Sequence, residues 1–297
     1  MDRTKWLVVL PVSTAMFLGA LDATLVGTAM PTVIASLGGL HLYAWVFAIY
    51  TLTITAAMPV LGRLSDLYGR RNLFLIAVGT FTVGSALCGM AQSIVQLILA
   101  RAIQGIGGGG IFGLSQAIFG EIFPVHERGR MQGYLASTWG IASLVGPLAG
   151  GLFADYLGWR WAFFVNVPLG VGACALIARG LRGHLHAGTG GRVDYAGAGT
   201  LVACIVTLQF GTLELGTGKP LADPLVGGLL ALSVLLAIAF VLVEWRSPHA
   251  ILPPALFRSR AFSAHGLPGK RSTMFRKYTS ALLCACWSRS AVLDWAR

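Results

Sequence analysis

Charge is the scarcest thing in this sequence. Only 11% of its 297 residues are Asp, Glu, Lys or Arg, against about 25% in an average soluble domain. Acidic residues are rarest, 11 against 22 Lys and Arg. No paired carboxylates, no Ser/His/Asp set and no Gly-Lys-Ser/Thr phosphate loop stand out, so neither hydrolytic chemistry nor an ATP-driven pump has a motif to rest on. Five cysteines do not make a disulfide framework. Cys88, Cys174 and Cys204 lie inside apolar runs. The Cys284-x-Cys286 pair has no second pair or His partner at ligand spacing, so no metal site and no cofactor are expected.

Apolar residues are what is plentiful. They make up 56% of the chain, with a mean hydropathy of +0.74, more than a single soluble core of this size could hide. Eight runs near 6–29, 44–62, 72–91, 94–120, 132–154, 162–180, 196–213 and 224–243 approach or exceed the ~20 residues that cross a bilayer. An all-α polytopic membrane protein of about eight spans follows, with the lipid bilayer as its first partner. Met1–Lys5 and the run after it resemble a signal peptide, but no small-residue cleavage site follows, so this reads as a first, uncleaved span. With the N-terminus in the cytoplasm, thirteen Lys and Arg before residue 263 fall inside and two, Arg160 and Lys219, fall outside. That asymmetry fixes the orientation. It also explains the net charge of +11 without nucleic acid.

The spacing divides the chain. Residues 1–180 carry six spans, 181–195 read as a basic, Gly-rich cytoplasmic linker, and 196–245 carry two more. Residues 246–263 resemble the approach to a further helix that never arrives. From Ala264 the composition turns basic and polar, and 264–297 read as an atypical tail of out-of-frame or truncated sequence.

Charges inside a membrane are costly and seldom kept without a role. Asp22 sits about 12 Å below the outer surface if the first helix leaves the membrane near Pro31. Arg101 sits about 11 Å deep on the fourth helix. The two are expected to share a layer and face a common water-accessible hollow. Burial opposes the charge on such a carboxylate and the guanidinium supports it, so a proton and a cation could compete for it. A fixed salt bridge, or snorkelling of Arg101, is the plainer alternative.

Gly62-Arg63-Leu64-Ser65-Asp66-Leu67-Tyr68-Gly69-Arg70-Arg71 reads as a tight link between spans two and three. Gly62 would admit another backbone closely, Gly69 would take a left-handed turn, and Asp66 would accept from Arg70 or Arg71. Such a cluster is a latch. On span five, Gly146, Gly150 and Gly151 offer a smooth face and Pro147 a bend. Gly105-x-Gly107-x-x-Gly110 matches a dinucleotide pattern in letters only; no strand precedes it, and close helix packing is the expectation.

These motifs resemble the major facilitator superfamily, and within it the fourteen-helix drug:proton antiporters. The resemblance rests on Leu21-Asp22-Ala23-Thr24 running to Pro31, the 62–71 element, Arg101-Ala102-Ile103-Gln104-Gly105, Gly146-Pro147-Leu148-Ala149-Gly150-Gly151, and Trp159-Arg160-Trp161 with Phe163, Phe164, Asn166 and Pro168. It covers positions 1 to about 262. It implies that 1–180 is an N-terminal half of two inverted three-helix repeats, with spans seven and eight as the linking pair. It further implies proton-coupled efflux of small lipophilic or cationic compounds across the plasma (inner) membrane, and no enzyme activity. Asp22 and Arg101 would couple protons or cations, Thr24 and Gln104 would line the substrate cavity, and Gly62, Asp66, Gly69, Arg70 and Arg71 would form the cytoplasmic latch. Gly146, Pro147, Gly150 and Gly151 would be the antiporter bend. Partners would be protons, the small-molecule substrate, and a second transporter half or copy. A non-transporting membrane remnant is the competing reading.

Overall fold

A computed structural model describes residues 3–181, 194–216 and 218–246. The segment read as a basic linker lies largely outside them. So do the Cys284/Cys286 pair and the tail from 264.

Nine α-helices follow one another, with no strand among the described residues: α1 (Arg3–Leu37), α2 (Tyr43–Tyr68), α3 (Arg70–Met90), α4 (Ile94–Ile122), α5 (Val125–Leu152), α6 (Trp161–Phe164), α7 (Asn166–Gly180), α8 (Tyr195–Gly216) and α9 (Pro224–Arg246). The short α6 and α7 together make one span, Trp161–Gly180, so eight helical segments are long and apolar enough to cross a membrane. The protein is an integral membrane protein. The break at Val165 has a covalent cause. Pro168 has no N–H to give the Phe164 carbonyl four residues back, so the helix is interrupted before it.

Helix ends depart from the hydropathy reading. α1 runs to Leu37, straight through Pro31, so Pro31 is not where the helix stops and the depth measured from it has a different origin. Gly38 and Gly39, at φ of 70° and 76°, end it instead. α2 continues through Pro59 to Tyr68, and α5 begins at Val125, seven residues before the apolar run. Hydropathy sees only residues that suit lipid, while these helices extend into charged turns that satisfy their backbone just as well. The expected link at 62–71 is therefore mostly helix. Gly69 alone joins α2 to α3, at φ 91° and ψ 131°, a positive-φ conformation outside the left-handed helical region expected of it.

α4 lies between α2 and α3, α1 packs on α5 and α7, α3 on α7, and α8 pairs with α9 while touching α2. The glycine run of α4 makes this possible. A Cβ at Gly109 would stand 2.6 Å from the Ile54 carbonyl of α2, and one at Gly107 would stand 2.6 Å from the Ala77 carbonyl of α3. Only a hydrogen fits on either side, which is the close packing read from the sequence. Phe74, Phe81, Ile111, Leu114 and Ile177 form one buried cluster. Leu25, Met30, Val46, Leu97 and Phe163 form another.

Candidate functional site

Five helices meet at Asp22. Gly84 lets α3 approach so closely that a Cβ there would stand 2.6 Å from the Gln104 backbone nitrogen, and Gly105 lets α2 approach until its Tyr50 carbonyl would be 2.7 Å from the missing Cβ. These two contacts bring the Ser85 and Cys88 face of α3, and the Tyr50 ring of α2, against the polar side of α4. The break between α6 and α7 places Asn166 at the head of α7, level with them.

Asp22 is 0% exposed and Arg101 1%. Arg101 Nη1 donates to Asp22 Oδ2 at 2.7 Å. Gln104 Nε2 and Asn166 Nδ2 each donate to Asp22 Oδ1 at 2.8 Å. Gln104 Oε1 accepts from Arg101 Nη1 at 2.8 Å and from the Cys88 thiol at 3.5 Å. Asn166 Nδ2 also reaches Ser85 Oγ at 3.0 Å, and the Ser85 hydroxyl donates to the Phe163 carbonyl at 2.9 Å. The Tyr50 ring lies against the guanidinium, 3.8 Å from Cζ to centroid. The carboxylate is thus held by one full charge and two amides, arranged for its ionised form.

The structure brings Asp22, Arg101 and Gln104 into one cluster. It does not place them on an open hollow, because all three are buried. Thr24 stands apart. Its hydroxyl donates to carbonyls of its own helix and lies 3.2 Å from the Ala142 carbonyl of α5, and a Cβ on Gly146 would overlap it. Gly150 meets Thr28 in the same way. These two glycines form the α1–α5 seam, whereas nothing among the described residues lies within 4 Å of a Cβ on Gly151. Pro147 sits within an uninterrupted α5.

The 62–71 element is tied to its neighbours by its arginines. Arg70 Nη2 pairs with Asp66 Oδ1 at 3.0 Å, and Nη1 pairs with Glu121 Oε2 at 2.7 Å while donating to the Ala117 carbonyl at 2.6 Å. Arg71 does not bond Asp66; its Nη2 donates to the Ala178 carbonyl at 2.9 Å, closing the last turn of α7. Gly62, expected to admit a close backbone, has nothing within 4 Å of its Cβ position among the described residues.

Sequence reasoning passed over Tyr50, Ser85 and Glu121, and gave Asn166 no role. Asn166 carried a signal, an amide within an apolar span. Glu121 lay at a helix end, where an acid calls for no explanation.

A family model described as "Major Facilitator Superfamily" matches residues 12–288, running past the composition change at Ala264. The chain is 40% identical over 257 residues to the multidrug transporter protein MdtP of Bacillus subtilis, covering 86% of this chain and 47% of that protein. It is 40% identical over 258 residues to multidrug resistance protein 3 of the same organism, covering 86% and 50%. It is 37% identical over 271 residues to the efflux pump FUS6 of Gibberella fujikuroi, covering 87% and 48%. The chain therefore spans about half the length of these curated relatives. Among solved structures, the human organic anion transporter MFSD10 superposes with a TM-score of 0.57 at 19% identity, over 76% of this chain and 59% of that one. The glycine-packed helices, the eight apolar spans and a family match over nearly the whole length lead to one conclusion: the chain belongs to the Major Facilitator Superfamily.

Proposed function

We propose that the chain supplies the N-terminal side of a proton-coupled exporter of small lipophilic or cationic compounds, of the fourteen-helix antiporter type, with its N-terminus in the cytoplasm of a plasma (inner) membrane. The observation that carries the reading is a lone carboxylate, fully buried and held by Arg101, Gln104 and Asn166 from two other helices. A charge kept at such a cost in the membrane is a functional one by default. Loss of the negative charge leaves Arg101 with Gln104 and the Tyr50 face alone. That weakens the tie between α1 and α4 and turns proton uptake into a helix movement. Because Asp22 is closed off, substrate acts on it only after that movement. The names of the multidrug relatives support the substrate class.

The test is Asp22→Asn in inside-out vesicles. Proton-driven efflux of a lipophilic cation should vanish while the amount of protein in the membrane stays constant. Efflux that persists unchanged removes Asp22 from the coupling.

A second reading has its own observation. α5 presents Ile141, Leu144, Val145 and Leu148 at its surface, and alternating access rocks one half against another. On this reading the chain is a half-transporter that works only with a second half or a second copy. Reconstituted alone it is silent, and efflux returns when the missing spans are supplied. A chain silent under both conditions is a non-transporting remnant.

A further inference from the structure

All the hydrogen bonds that Asp22 makes among the described residues come from donors: Arg101 Nη1, Gln104 Nε2 and Asn166 Nδ2. That suits a carboxylate. A neutral acid in the same place carries an O–H with no acceptor, and a buried donor left unpaired is costly. One neighbour must therefore present an oxygen. Gln104 is not free to do so, because its Oε1 already accepts from Arg101 and Cys88. Asn166 is different. Its side chain is 0% exposed, yet its Oδ1 has no hydrogen-bond partner among the described residues. Rotation about its terminal torsion exchanges the two ends of the amide and delivers that oxygen to Asp22.

We infer that Asn166 is a positioning residue whose amide turns over when Asp22 takes up a proton, drawing the Ser85 hydroxyl away from the Phe163 carbonyl. In the present state Asn166 Nδ2 donates to Asp22 and to Ser85 Oγ, and Ser85 donates to Phe163. After the turn, Asn166 Oδ1 accepts from the Asp22 O–H and from Ser85, and the amide N–H groups pass to the side where Oδ1 now stands without a partner among the described residues. The Phe163 carbonyl, two residues before the break at Val165, then loses its tie to α3. The proton comes from water and adds to one Asp22 oxygen; elsewhere only hydrogen bonds change. The charge at Asp22 is thereby reported to the junction of the sixth span. The inference rests on the reading of Asp22 as the proton carrier. Ionisable side chains facing Asp22 are Arg101 from α4, Tyr50 from α2 and Cys88 from α3. Of these, Tyr50 Oη, which also lacks a hydrogen-bond partner among the described residues, is the rival acceptor.

The sequence has only two asparagines, Asn72 and Asn166, so an isotope label can watch the residue itself. The full chain carrying Asn72→Gln is prepared with 13C at the asparagine amide carbonyl, placed in phosphatidylethanolamine/phosphatidylglycerol liposomes, and followed by infrared difference spectroscopy between neutral and acid pH. A carboxylic C=O band that is absent in Asp22→Asn marks the protonated Asp22. Together with it, the labelled amide band should fall in frequency as its carbonyl gains hydrogen bonds. In Asn166→Leu the carboxylic band should move to higher frequency, and in Tyr50→Phe both bands should stay. A carboxylic band that appears with a silent amide band, or that moves in Tyr50→Phe, overturns the role of Asn166 alone. No carboxylic band at Asp22 between pH 5 and 9, roughly the working range of a titrating group, overturns the proton-carrier reading with it. Neither result depends on transport being measured.

Discussion

Removing one member of the Asp22–Arg101 pair should cost more than removing both. In Arg101→Met the carboxylate keeps its two amide donors but loses the only full charge bonded to it, at a site with no exposure. Breaking a buried pair from one side typically costs about 3–5 kcal/mol. In Asp22→Asn the stranded guanidinium keeps Gln104 Oε1 at 2.8 Å and the Tyr50 face at 3.8 Å, and a desolvated cation–π contact recovers about 2 kcal/mol. That single change should therefore be milder, about 1–3 kcal/mol. The double variant strands no charge and should cost less than either single change, so the coupling between the sites should be at least as large as the larger single penalty, about 3–5 kcal/mol. Chemical unfolding of the four chains in mixed micelles measures it. Coupling below about 1 kcal/mol would refute the pairing as an energetic unit. Asp22→Asn proving the more damaging single change would refute the place given to Tyr50.

The glycine seams separate by position. Gly107→Ala forces a Cβ against the Ala77 carbonyl and the Phe81 backbone, neither of which can rotate away, so thermal unfolding should report a loss of about 1–3 kcal/mol. Gly120→Ala, on the same helix, meets nothing within 4 Å among the described residues and should be neutral or gain up to about 1 kcal/mol. On α5, Gly146→Ala runs into the Thr24 side chain, while Gly151→Ala meets nothing among the described residues. Only the first should slow disulfide formation between cysteines placed across the α1–α5 seam. Between α8 and α9, Lys219 bonds Glu214 at 2.9 Å, and that hydrogen bond and charge hold the exposed ammonium above its ordinary range. A raised value in the folded chain means that the pair contributes below the ordinary lysine range and stops contributing as pH rises through the raised value. Lys219 followed by 15N NMR should accordingly titrate lower in Glu214→Gln, and an unchanged midpoint would dismiss the pair.

Much of the architecture could be read in advance because lipid imposes one demand on every span. Runs such as 72–91 and 224–243 lie close to α3 and α9, since a spanning helix must be apolar over its lipid-facing length. What could not be read was where the helices stop. Pro31, a strong helix breaker in water and read as the end of the first span, lies inside α1, where packed neighbours tolerate the lost hydrogen bond. Gly69 was recognised as the hinge of its turn, but the six residues before it are helical, because charge in a sequence does not distinguish a loop from a helix end beyond the bilayer.

The site divides along a different line. Asp22 and Arg101 were legible because a charge in an apolar span is anomalous wherever the fold puts it. Their partners lie 79, 82 and 144 residues from Asp22, and only the charged one announces itself at such a distance. Hydroxyls are silent for a physical reason. Thr82 and Ser115, also buried, donate to the carbonyl four residues back on their own helices, Val78 at 2.7 Å and Ile111 at 2.5 Å, as most membrane serines and threonines can. A sequence cannot separate these from Ser85, whose hydroxyl leaves its helix to reach Phe163. The difference arises because Pro168 breaks the sixth span and Gly84 draws α3 in, two backbone effects at residues that carry no polar side chain. Legibility therefore tracks the cost of a residue taken alone. The residues that would couple Asp22 to helix movement have no cost until the fold assembles them.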